Sequence, residues 1–263
     1  MKKLLVRALS GIVYIGVILG CYFLGHISFF ILAVLMAVCA IVEFTRIYGE
    51  LRGDGWAYLV IDALGVLALM SHFAFGLPLS VWVICLLVRF VAQLYDRNDE
   101  PVRRLSVSIF KQVYVGIGLG TMVSLSHQGN MVLAVFFLIW INDTFAFIVG
   151  SLTGRHKMSP VLSPKKSWEG FIGGLLFTLG ASALFGSCLK GFFAMDANIW
   201  IWLAIGLLTV AMSTWGDLLE SMIKRSLHIK DAGNIIPGHG GILDRIDSLL
   251  LAMPAVWLLL QII

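Results

Sequence analysis

The sequence predicts an all-α polytopic membrane protein of about nine transmembrane helices, with its N-terminus cytoplasmic and its C-terminus outside. Three observations predict this class. The chain of 263 residues is 59% hydrophobic and only 13% charged, against about 25% charged residues in ordinary soluble domains, and its mean hydropathy is +0.94. Apolar runs of about 20 residues, the length of helix that crosses a bilayer, recur along the whole chain. Lys and Arg collect in alternate connections between these runs. The ~10-residue alternating segments of a transmembrane β-barrel are not visible.

Taken in order, the expected spans are 4–24, 27–45, 57–75, 77–95, 109–126, 130–150, 170–189, 199–222 and 243–262. The opening MKKLLVR has the charge of a signal peptide, but no small-x-small cleavage site follows, so the first run is expected to be a retained span. A tight Gly25-His26 link joins the first two spans. Cys21, Cys39, Cys85 and Cys188 lie inside apolar runs without ligand spacing. They read as small hydrophobes, so neither a disulfide framework nor a zinc site is expected. No internal repeat stands out. The expected organisation is one integral membrane domain over 1–263, with N-terminal spans in 1–130 and catalytic spans in 131–263. Cytoplasmic loops are expected at about 151–169 and 223–243.

The orientation follows from the basic residues. Lys2, Lys3 and Arg7 precede or open the first span, and Arg46 and Arg52 flank the second connection. Arg89, Arg97, Arg103, Arg104 and Lys111 surround the fourth. Arg155, Lys157, Lys165 and Lys166 lie in the sixth, and Lys224, Arg225, Lys230 and Arg245 in the eighth. Of the 19 Lys and Arg residues, Lys190 alone falls on the opposite side. Such alternation places the basic side in the cytoplasm. It also brings Asp143, Asp217, Glu220, Asp244 and Asp247 to one depth near the inner leaflet.

The chemistry gathers between Ser221 and Ser248, a polar island flanked by apolar sequence. It holds Lys224, Arg225, Lys230, Asp231, Asp244 and Asp247, which lipid would not tolerate. Asp217, Glu220, Ser221 and Lys224 are spaced i, i+3, i+4, i+7 and share one helix face. Asp244 and Asp247 repeat the i, i+3 spacing. Carboxylates gathered without His or Cys suit a hard cation such as Mg2+, and Arg245 between them suits phosphate oxygens. Gly238, Gly240 and Gly241 around His239 can turn backbone N–H groups toward an anion. His239 reads as a general acid, a phosphate ligand or a structural loop residue. In the sixth connection, Ser163-Pro164 predicts a helix start, and Lys165 and Lys166 beside it make an anion site. The plainer alternatives are a basic loop attracted to anionic lipid and, for Asp143, an interhelical salt bridge to Arg245 or Lys166. Gly173 and Gly174 read as helix-packing positions. Together these residues suggest phosphoryl or nucleotidyl transfer to a lipid at the inner membrane face.

Ser221, Ile223, Lys224, Arg225, Lys230, Asp231, Gly233, Ile236, Pro237, His239, Gly240, Gly241, Asp244, Arg245 and Asp247, at this spacing, resemble the signature of the phosphatidate cytidylyltransferases, or CDP-diacylglycerol synthases. Upstream, Asp143, Ala146, Gly150 and Gly154 are similar to the same family, as are Ser163, Pro164, Lys166, Ser167, Glu169 and Gly170. Phe147 departs from the expected Tyr. The resemblance covers residues 140–250; the first 130 match only as a row of spans.

The resemblance implies transfer of CMP from CTP to phosphatidate, with Mg2+ and a second cation left open. Asp217, Asp244 and Asp143 would hold the metal, with Asp247 and Glu220 behind them or as alternate ligands. Lys224, Arg225, Lys230 and Arg245 would bind phosphates. Lys165, Lys166, Ser167, His239, Gly240 and Gly241 would meet the nucleotide or the leaving pyrophosphate. Asp217, Asp244, Arg245 and Lys224 form the expected catalytic set. The expected partners are CTP, phosphatidate and membrane lipid, with no nucleic acid; a homodimer is left open. The expected location is the inner (plasma) membrane if the source is bacterial. Rival readings are an ion-coupled transporter, a CTP-dependent lipid kinase and a CDP-alcohol phosphotransferase. Against the transporter, the acids cluster at one face and no two-fold repeat is visible. Against the phosphotransferase, its acidic motif is absent. The kinase is separated by its products.

Overall fold

The structure, a computed structural model, describes residues 2–49, 55–96, 100–233 and 240–263, with side-chain detail from residue 10. Helix follows helix: α1 (Lys2–Phe23), α2 (His26–Ile47), α3 (Gly55–Phe75), α4 (Leu79–Leu94), α5 (Pro101–Ser126) and α6 (Met131–Thr153). A hairpin of β1 (Lys157–Ser159) and β2 (Ser163–Ser167) comes next, then α7 (Trp168–Cys188), the short α8 (Lys190–Phe193), α9 (Ile199–Ser226) and α10 (Leu243–Ile262). Among the described residues, seven helices are long and apolar enough to cross a membrane: α2, α3, α5, α6, α7, α9 and α10. Ser10–Phe23 of α1 and Leu79–Leu94 of α4 are shorter apolar helices. The protein is an all-α polytopic membrane protein.

Its helices are sided as lipid requires. On α2, Ile27, Ile31, Leu35 and Val38 are exposed, while Phe29, Ala33, Ala37, Ala40 and Phe44 are buried. Both stripes are apolar and follow helical spacing. An exposed stripe of large aliphatics suits acyl chains, and the buried stripe is rich in small residues that let helices approach closely.

The chain divides into two compact units, Met1–Ser124 with Asp231–Arg245, and Leu125–Lys230 with Ile246–Ile263. In the first, Gly25 (φ 114°) makes the tight turn from α1 to α2. Phe44 packs edge-on against Phe110 and Tyr114 of α5. Helix α5 has the lowest mean hydropathy of the seven candidate spans and is the most deeply enclosed. These two facts are linked, because its polar side chains face protein. Lys111 Nζ lies 2.6 Å from Asp62 Oδ2, and Arg89 Nε lies 3.4 Å from Asp62 Oδ1. Ser108 Oγ and Gln112 Nε2 also donate to Asp62 Oδ1. Arg89 stands 4.3 Å over the Tyr58 ring and donates to Gln93. Asp62, Arg89 and Lys111 are each at most 1% exposed. Arg89 and Lys111, expected as loop cations, are therefore interior ion-pair partners.

In the second unit, small residues bring α7 against α6. An added Cβ would meet Ala146 O at 2.7 Å from Gly170, Val149 at 2.6 Å from Gly173 and Asn142 Oδ1 at 2.4 Å from Gly174. Gly173 and Gly174 thus pack helices as their sequence context suggests. The expected helix start at Ser163-Pro164 is corrected: these residues lie on β2, paired antiparallel with β1. Pro164 lacks an N–H but is tolerated in a two-stranded ribbon, where every strand is an edge. The helix starts at Trp168 because Ser167 caps it, its Oγ accepting from Gly170 N at 3.2 Å. Glu169 closes the base of the hairpin by accepting from His156 N at 3.1 Å and meeting His156 Nδ1 at 2.6 Å. Helix α9 runs to Ser226, so the expected loop at 223–243 begins a turn later.

Candidate active site

Two helices of the second unit bring three carboxylates together. Asp217 and Glu220 sit one turn apart on α9, and Asp247 lies on the first turns of α10. One ligand oxygen from each lies within 4.8 Å of the others. The approach depends on Gly216. A Cβ there would meet Asp247 O at 2.5 Å and Ser248 Cα at 3.2 Å, both backbone atoms that cannot swing aside. Ionised carboxylates at such spacing repel by roughly 3–4 kcal/mol per pair at an effective dielectric of ~20. The repulsion is screened further at Asp217, whose side chain is 36% exposed.

Two lysines offset part of this charge. Lys166 Nζ lies 2.8 Å from Asp217 Oδ2 and donates to Thr214 O at 3.1 Å. Lys224 Nζ lies 2.7 Å from Glu220 Oε2, on a residue only 9% exposed. Three carboxylates against two ammonium groups leave one negative charge, and Asp143 is near enough to Asp247 to add to it electrostatically. All-oxygen donors with residual negative charge fit a hard divalent cation such as Mg2+. The predicted helix stripe is self-paired, since Ser221 Oγ also donates to Asp217 Oδ1 at 3.4 Å.

A cavity of about 310 Å³ opens beside Asp217. Its walls include Asn142, Asp143, Ala146 and Phe147 from α6, Ser163, Lys165, Lys166 and Ser167 from β2, Gly170 and Phe171 from α7, and Thr214 from α9. The hairpin therefore presents two lysines to a cavity whose other wall carries Asp143 and Asp217. Phe147 offers it no hydroxyl. Ser167 is 4% exposed and its hydroxyl is engaged in capping α7. Asn142, also on the wall, is 2% exposed and donates to Ser213 Oγ at 3.3 Å.

The remaining expected site residues have these places. Arg225 is exposed and donates to Ile229 O at 3.0 Å. Lys230 and Arg245 are exposed. Asp244 belongs to the first unit, where Oδ2 accepts from Gly241 N at 2.8 Å and Ala232 N at 3.1 Å. Gly240 (φ 84°) holds a left-handed turn in front of it. His239 lies outside the described residues. One residue the sequence reading passed over is Glu43 on α2, 1% exposed and bonded to the backbone of residues 242 and 243. An acid inside an otherwise apolar span was the available signal.

Comparison with known proteins supplies the family. The family model "Cytidylyltransferase family" matches residues 5–263, and the chain belongs to that family. It is 32% identical to the phosphatidate cytidylyltransferase of Staphylococcus haemolyticus over 97% of this chain and 98% of the relative. It is 31% identical to the proteins of the same name from Staphylococcus saprophyticus and Staphylococcus aureus, with the same coverage.

Proposed function

We propose that the protein transfers CMP from CTP to phosphatidate, forming CDP-diacylglycerol and pyrophosphate. The observation that carries this reading is the convergence of Asp217, Glu220 and Asp247 beside a cavity lined by Lys165 and Lys166. Family membership and the names of the relatives supply the reaction class. The nucleophile is a phosphate oxygen of phosphatidate, ionised near neutral pH because a phosphomonoester's second pKa is about 6. It forms a bond to the α-phosphorus of CTP as the bond to the β-phosphate oxygen breaks, and pyrophosphate leaves with that electron pair. No base is needed to generate this nucleophile. The obstacle is that two polyanions must meet, so the task of the side chains is charge neutralisation and alignment.

Asp217, Glu220 and Asp247 would hold Mg2+, with Asp143 as a further candidate. A bound Mg2+ supplies positive charge to the reacting phosphates. Lys165 and Lys166 would take phosphate oxygens in the cavity, and Lys166 can exchange its contact with Asp217 for one with substrate. Lys224 holds Glu220 in place. Arg225, Lys230 and Arg245 are exposed cations suited to approaching phosphates. Incubating the purified protein with labelled CTP, phosphatidate and Mg2+ should yield labelled CDP-lipid and unlabelled lipid should disappear with stoichiometric pyrophosphate. Formation of CDP and a phosphorylated lipid instead would overturn the assignment in favour of a kinase.

The reading extends to topology. Nine spans, α1 to α7 with α9 and α10, would place the N-terminus and the site in the cytoplasm and the C-terminus outside, in the inner membrane of a bacterium. Helix α4, with 16 residues, is about 24 Å long, and local thinning accommodates it. The distribution of Lys and Arg along the sequence supports this orientation even with Arg89 and Lys111 set aside. A reporter active only outside the cytoplasm should work when fused after Ile263 and fail when inserted within 96–104. The reverse pattern would put the site on the other face.

A further inference from the structure

We infer that Glu43 is the positioning residue for the backbone of residues 240–243, which leads into α10. Its two oxygens reach two successive backbone donors. Oε1 accepts from Ile242 N and Oε2 from Leu243 N, each at 2.9 Å. These N–H groups lie at the start of α10, where unpaired donors and the helix dipole favour a carboxylate. Hydrogen bonds to an ionised acceptor are the stronger kind.

The glycines on either side of 234–239 are shaped by the same carboxylate. A Cβ on Gly233 would stand 2.6 Å from Glu43 Oε1, and one on Gly241 would stand 2.5 Å from Oε2. Neither glycine has a positive φ; Gly240 does. Gly233 and Gly241 therefore leave room for the Glu43 carboxylate, which an added Cβ would have to push aside, rather than supply an unusual backbone. Gly233 and Gly241 both approach Glu43, and Asp244 Oδ2 accepts from Ala232 N and Gly241 N beside them. Glu43 thus sets where the Gly240 and Gly241 backbone and the Asp244 carboxylate stand. This inference rests on the reading of Gly240, Gly241 and Asp244 as substrate-site groups.

The test is a double-mutant cycle on the full-length purified protein, with kcat and KM for CTP and the melting temperature measured for each variant. Glu43→Gln keeps size but turns an amide donor toward a backbone donor. It should lower kcat/KM by about tenfold or more, since each factor of ten reflects a small loss of transition-state alignment. Gly241→Ala alone should be severe, whereas in a Glu43→Ala background its further cost should shrink by about tenfold because the clash is gone. If Glu43→Ala does not fold, Glu43→Ser supplies the same space. Equal cost of Gly241→Ala in both backgrounds, or wild-type kcat and KM in Glu43→Gln, would overturn the inference. Asp244→Asn separates the two levels. An active Asp244→Asn refutes the loop's role in substrate handling, whereas an impaired Asp244→Asn beside an unimpaired Glu43→Gln refutes positioning alone.

Discussion

Asp217→Asn and Asp247→Asn should each lower kcat by at least ~100-fold, the scale of removing one electrostatic stabiliser from a transition state. Asn preserves shape and one acceptor oxygen, so the fold should persist while a charge is lost. The three oxygens of Asp217, Glu220 and Asp247 lie within 4.8 Å and repel unless a cation joins them. The double variant should lose little more than either single one, because residues that hold one ion act as a unit. Steady-state kinetics across a Mg2+ titration measures this, with both single variants requiring more Mg2+ for half-activity. Glu220→Gln should behave less cleanly, since it also strips Lys224 of its 2.7 Å partner. Full activity in EDTA, or single variants within a few-fold of wild type, would refute the carboxylate assignment.

Lys166→Met is the second large effect expected. Lys166 lines the cavity and touches Asp217 Oδ2 at 2.8 Å, so it is the cation best placed to pass between carboxylate and phosphate. Losing one charge-assisted contact to phosphate should reduce kcat/KM for CTP by about 10- to 100-fold. The protein should still fold, because Lys166 sits on a two-stranded ribbon rather than in the helix core. Lys166→Arg should not restore activity fully, as a planar fork does not replace a compact ammonium in a cavity of this size. Arg225→Ala, on an exposed side chain, should cost less. Wild-type kcat and KM for both substrates in Lys166→Met would reduce the hairpin lysines to surface charge facing lipid headgroups.

Hydropathy made most of the fold legible, because each span's apolar length is a local property. Expected and observed boundaries of α2, α3 and α10 agree within a few residues. The i, i+3 spacing of Asp217 and Glu220 was legible for the same reason. What failed to register is pairing at a distance. Glu43 meets the backbone 199 and 200 residues further on, and Asp62 meets Arg89 and Lys111 from separate helices. Neither leaves a local pattern. The positive-inside count assigned Arg89 and Lys111 to a connection because it reads charge by nearness to span ends and knows nothing of burial. The family resemblance puts Asp244 ahead of Asp247 as a metal ligand. The structure gives Asp247 to the carboxylate cluster and ties one oxygen of Asp244 to backbone N–H groups.

The buried group of Asp62, Arg89 and Lys111 bears on how the chain enters a bilayer. A lone charge at the centre of a spanning helix costs about 2.5–3.5 kcal/mol even on the most lenient insertion scale. Helices α3, α4 and α5 each carry one of these charges. Alone in lipid, each would hold an uncompensated ion; together, the two cations share the single carboxylate of Asp62. Pairing therefore favours placing α3 beside α4 and α5, because Asp62 offsets the cost of both cations at once.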